Sequence, residues 1–107
     1  MQYELTLNNI PNQNFTTTIN DIDMEITIKL AGQEDNKILF FSLITNGDYL
    51  CPAVPVFANQ AVLPYPYMVS EVGGNFFFTT DNEEYPNYLN FGSTCKLFFI
   101  TEDELNG

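Results

Sequence analysis

From Ile22 to Leu30 the chain alternates without a break: Ile22, Met24, Ile26, Ile28 and Leu30 are apolar, and Asp23, Glu25, Thr27 and Lys29 stand between them. Successive side chains of a strand point to opposite faces, so this spacing predicts a strand with one face in a core and the other in water. The segment just before it, Phe15–Ile19, is rich in β-branched residues. Only Asn20 and Asp21 separate the two, a pair suited to the turn of a tight hairpin. A chain committed so early to an antiparallel hairpin must find further strands to cover its apolar face.

The rest of the sequence supplies them. Tyr3, Leu5 and Leu7 interleave with Glu4, Thr6 and Asn8 as a half-buried strand requires. Lys37–Thr45 is apolar on both faces, which predicts a central or doubly covered strand. It ends at Asn46-Gly47, the strongest short hairpin signal in the chain, because both residues tolerate positive φ. Cys51–Met68 contains Pro52, Pro55, Pro64 and Pro66, each without a ladder donor, and reads as an extended, irregular crossing over the core. Met68–Val72 reads as a short strand, Gly73-Gly74-Asn75 as a turn, and Phe76–Thr80 as a strand whose partner is Cys95–Thr101. The tail, residues 102–107, is acidic and expected to fray. No sustained 3.6-residue repeat is evident, so little helix is expected. About seven short strands with one long crossing predict an all-β fold, a small antiparallel β-barrel or sandwich forming one domain over residues 1–107.

Charge narrows the function. Fourteen Asp and Glu face only Lys29, Lys37 and Lys96, with no Arg and no His, for a net charge of −11. Three scattered lysines cannot form the basic stripe that neutralises phosphates, so nucleic acid and anionic membrane surfaces are rejected as partners. Mimicry of DNA is disfavoured because the acids sit singly within strands rather than in an array. The absence of His removes Ser/His and Cys/His nucleophile pairs and His-ligated metals. Cys51 and Cys95 match no zinc or redox spacing, and buried free thiols are the favoured reading of the pair. The start, MQYEL, lacks a basic-then-apolar pattern, so no signal peptide is expected, and the apolar runs Ile38–Phe41 and Ala61–Tyr67 are too short to span a bilayer.

Several side-chain groups invite a chemical reading. Asp21, Asp23 and Glu25 share a face, and Asp23 and Glu25 lie about 7 Å apart along a strand. Such a spacing suits a calcium site or a glycosidase carboxylate pair, but glycosidase pairs come from different elements facing across a sugar. A solvated strand face is the preferred reading. Asp81, Asn82, Glu83 and Glu84 lack the glycine and terminal glutamate of a twelve-residue calcium loop and read as an acidic turn. Neither group predicts a catalytic or metal site, and no cofactor is expected.

The aromatic and proline-rich stretches, LPYPYM (Leu63–Met68) and YPNYLNF (Tyr85–Phe91), are the remaining candidates. Tyrosine offers a rigid apolar face with a hydroxyl at its tip and is enriched where proteins meet. Tyr65, Tyr67, Tyr85 and Tyr88 are therefore candidate interface residues. A carbohydrate-binding module with a tyrosine platform is the alternative, although the chain has no Trp.

Taken in order, IPNQNF, the hairpin FTTTINDIDMEITIKL, KILFFSLITNGDYL, GGNFFFTTD and YPNYLNFGSTCKLFFIT resemble the small plug proteins of tailed-phage baseplates over residues 10–101. The family elements correspond here to Asn12, Gln13 and Phe15; to Asn46, Gly47 and Asp48; and to Pro86, Tyr88, Leu89 and Gly92. The resemblance implies a non-enzymatic structural protein of the virion. It would be made in the host cytoplasm and held in a contractile-tail baseplate by tube, hub or wedge proteins, or by copies of itself in a symmetric ring. It also implies that Tyr85, Pro86, Tyr88 and Phe91 form a structural corner, with Gly92 at positive φ where the chain turns into its last strand.

Overall fold

A computed structural model describes residues 2–32, 37–81, 86 and 88–106. Among them are seven strands: β1 (Gln2–Leu5), β2 (Gln13–Ile19), β3 (Ile22–Ala31), β4 (Ile38–Thr45), β5 (Asp48–Pro55), β6 (Gly74–Thr80) and β7 (Cys95–Thr101). Two short helices join them, α1 (Pro66–Val72) before β6 and α2 (Glu102–Asn106) after β7. One sheet has the order β2-β3-β4-β5 and the other β1-β7-β6, with every pairing antiparallel. The sheets do not close on each other, so of the two architectures predicted the molecule is the sandwich.

The alternation in β3 does what its spacing predicts. Met24, Ile26 and Ile28 are buried, while Asp23 and Lys29 are exposed. The two tight hairpins of this sheet, β2–β3 and β4–β5, turn through residues at positive φ, Asn20 and Asp21 at 56° and 62°, then Asn46 and Gly47 at 48° and 89°. These are the backbone signs that match a two-residue turn to the twist of its strands. β4 lies between β3 and β5, as its apolar composition predicts, but its second face, carrying Phe40 and Ile44, is only half-buried.

The core is the space between the sheets, filled largely by phenylalanine. Phe41 of β4 meets Phe76 of β6 with ring centroids 5.0 Å apart, and Phe76 meets its cross-strand partner Phe99 at 5.0 Å. All three are fully buried. Tilted and edge-on contacts of this kind add to the area these rings remove from water. Cys51 and Cys95 are both buried and both free thiols, and burial pushes the Cys51 thiol up from its ordinary value.

The middle of the chain departs from the sequence reading in three places. Cys51–Pro55 belongs to β5 rather than to the crossing: β5 is an edge strand, where a proline's missing N–H has no ladder position to fill, and its pairing with β4 is interrupted by register shifts. The crossing proper then runs along the free side of β6, with Asn59 N–H donating to Phe78 O at 2.8 Å and Val62 N–H to Phe76 O at 2.9 Å. Met68–Val72, read as a strand, is helical instead. Pro66 stands in the first turn, which needs no donor there, and Gly73 at φ 78° closes the helix as a left-handed cap. Gly74 and Asn75, read as turn residues, are already the start of β6. At Gly74 a Cβ would strike the Ile100 carbonyl oxygen and the Phe99 ring, so β6 and β7 meet there as closely as only glycine permits. Residues 102–106, expected as a frayed tail, form α2, whose Glu102 N–H bonds the Gly73 carbonyl at 2.9 Å.

Candidate docking surface

The described residues of the two aromatic stretches lie at opposite ends of the sandwich. Because β6 and β7 pair from Gly74↔Thr101 to Thr80↔Cys95, α1 and α2 sit at one end of that ladder and the corner before β7 at the other. Seven residues of strand separate them by about 20 Å.

At the first end, Tyr65 and Tyr67 flank Pro66 where α1 begins. Their rings stack on each other with centroids 6.0 Å apart and planes 11° from parallel. They remain 57% and 63% exposed, so the pair is a stiff apolar step standing in water. The local sequence imposes this. Tyr65 is extended, its carbonyl accepts from Met68 N–H at 3.0 Å, and Met68 and Val72 are the residues α1 turns into the core. Once those two point inward, Tyr67 must point out. Beside the step lies an open cleft of about 350 Å³ floored by Leu63 and Val69 and bounded by Leu105 of α2.

At the second end the chain is architecture. Tyr88–Asn90 form a single 3-10 turn, Phe91 is buried against Phe78, and Gly92, at φ 86°, donates its N–H to Cys95 O at 2.9 Å. Tyr88 is half-buried and packs on the core, and Pro86 is buried. Asn9 closes the corner from across the molecule: its Nδ2 donates to the carbonyls of Phe91 at 2.8 Å and Tyr88 at 3.1 Å. Sequence reasoning missed Asn9, which looks like any loop asparagine. Tyr85 and residues 82–84 lie outside the described residues, so of the acidic turn proposed there only Asp81 is placed, and it is exposed.

The other residues on which the resemblance rests have local roles. Asn12 Oδ1 accepts from Leu30 N–H at 3.0 Å, continuing the β2–β3 ladder past its last strand pair. Gln13 ties the preceding loop, donating to Asn8 O at 2.9 Å and accepting from Asn8 N–H at 3.1 Å. Phe15 packs on the core. Asn46 bonds both main-chain groups of Asp23, and Leu89 is 65% exposed beside the corner.

Asp23 and Glu25 lie on the outer face of β3, with Thr18 Oγ1 donating to Asp23 at 2.9 Å and Asn14 Nδ2 to Glu25 at 2.9 Å. Among the described residues no three His, Cys, Asp or Glu side chains converge on a point that could hold a metal ion. No helix among them is long and apolar enough to cross a membrane.

A β-sandwich with architectural corners and an exposed aromatic step has the form of a protein that fits among others. The family model described as cyanophage baseplate Pam3 plug gp18 matches residues 2–102, and the chain belongs to that family of phage-tail structural proteins. The match lends nothing to the carbohydrate-binding alternative. No curated protein matches the chain in sequence.

Proposed function

We propose that this chain works without catalysis, as a plug in a contractile-tail baseplate, and that it docks on tube, hub or wedge proteins through the face carrying Tyr65 and Tyr67. The observation that carries the reading is the stacked tyrosine pair, more than half exposed at one end of the sandwich in a member of a baseplate plug family. Solvating two such rings is unfavourable, and their covering by a neighbour would return the apolar area to a dry environment. With a net charge of −11, the chain repels its own copies at long range, so the neighbours it fits best present basic surfaces that steer it in. Tyr88 serves the corner in this reading, while Tyr65 and Tyr67 serve the contact.

Complementation of a phage lacking the gene tests it. Tyr65→Ala and Tyr67→Ala should each leave the isolated domain folded and lower the amount of protein recovered in purified particles. Wild-type incorporation of both variants would contradict the docking face.

A further inference from the structure

Each sheet of an open sandwich leaves two edges, and an edge strand offers unpaired N–H and C=O groups to any chain that can pair with them. Three of the four edges here are protected. β1 has only four residues and carries Glu4. β5 carries Asp48, Pro52 and Pro55 and is broken by register shifts. β6 is covered by the crossing, which bonds Phe76 and Phe78, and by Asn59 Oδ1, which accepts from Thr80 N–H at 3.1 Å.

β2 has none of these devices. Its seven residues, QNFTTTI, include no charge, proline or glycine, and all seven pair with β3 in unbroken register. No described segment pairs with its outer side. The direction of its free groups follows from the hairpin. In a two-residue turn the flanking residues, Ile19 and Ile22, bond each other, and bonding alternates from there. Gln13, Phe15, Thr17 and Ile19 therefore face β3, while the main-chain groups of Asn14, Thr16 and Thr18 face outward. The bonds of Asp23 agree: opposite Thr18, it turns its N–H and C=O away from β2 to Asn46 on the β4 side.

We infer that β2 is a pairing edge, onto which an extended segment of a neighbouring baseplate protein adds as a fifth strand, with Lys or Arg on the side facing outward from the sandwich. The charge of that segment follows from Asp23 and Glu25, whose bonded partners are the neutral side chains of Thr18 and Asn14. On the outer face of the sheet they line a cleft of about 410 Å³ that reaches from Thr16 and Thr18 of β2 across to Ile44 of β4. An added strand would lie about 10 Å from β3, a gap that a long basic side chain and a carboxylate span together. A second copy of this chain would bring the same acids and a charge of −11 to that edge, and is the poorer occupant. Strand addition gives affinity through main-chain bonds, which explains why the edge is uncharged and β-branched rather than protected. The inference rests on the proposed baseplate role.

Amide hydrogen exchange compares the free protein with the protein in purified particles. The amides of Asn14, Thr16 and Thr18 should exchange freely in the isolated domain and at least about tenfold more slowly in particles. Thr16→Pro removes an outward donor without touching the β2–β3 ladder, so the variant should fold and be lost from particles. Equal exchange in both states, or wild-type incorporation of a folded Thr16→Pro variant, would overturn the pairing edge alone. Absence of the wild-type protein from particles would overturn this inference and the baseplate role together. If Thr16→Pro does not fold, the exchange comparison on the wild-type protein decides.

Discussion

Asn75 holds both main-chain groups of Leu63: the Leu63 N–H donates to Asn75 Oδ1 at 2.8 Å, and Asn75 Nδ2 donates to the Leu63 carbonyl at 3.2 Å. The same Oδ1 accepts the Phe76 N–H at 2.7 Å. Both residues are buried, so a side-chain amide here stands in for a strand partner and fastens the crossing, and with it the Tyr65–Tyr67 step, to β6. Asn75→Ala leaves Leu63 N–H and C=O buried without partners. A loss of about 2 to 4 kcal/mol in urea unfolding is expected, and a loss below about 1 kcal/mol would contradict the clamp.

Gly92 separates backbone strain from packing. Nothing lies within 4 Å of a Cβ built there, yet its φ is 86°. Gly92→Val should therefore cost about 1 to 3 kcal/mol through conformation alone, while Gly92→Asn, which tolerates the left-handed region, should cost less. Thermal melts that rank the two the other way, or leave Val unchanged, would remove the corner reading.

The strands were legible where a local rule and the tertiary environment agree. The β3 alternation and the Asn20-Asp21 and Asn46-Gly47 turns state their structure within a few residues. The α1 helix was not legible because MVSEV is too short to display a 3.6-residue period, and its single buried pair, Met68 and Val72, also fits a strand. β5 was only half legible, since its prolines are compatible with pairing at an edge and nothing local marks an edge. The pairing of β1 with β7, the Asn9 and Asn75 clamps, and the separation of Tyr88 from Tyr65 and Tyr67 all depend on contacts far apart in sequence.

Asp23 and Glu25 give a test of the solvated-face reading. Their bonds come from Thr18 and Asn14, and an amide oxygen can accept the same bonds. Asp23→Asn with Glu25→Gln should leave the melting temperature within about 3 °C of wild type. Millimolar calcium should shift neither protein. A rise of many degrees in the wild type that the double variant lacks would restore a metal site.

Cys51 makes stability depend on alkaline pH. Burial raises its folded-state value above the ordinary 9.0, so the unfolded chain ionises first. Its contribution is complete below that ordinary value and is lost as pH rises through and above it. The urea midpoint should fall more between pH 8 and about pH 10 for the wild type than for Cys51→Ala. Equal falls would place the thiol in contact with water.

Docking through the proposed tyrosine face is tested by a reconstruction of an intact tail tip. The sandwich should lie within the baseplate, with Tyr65 and Tyr67 buried against another protein. A baseplate in which both rings face solvent, or one that lacks the chain, would contradict it.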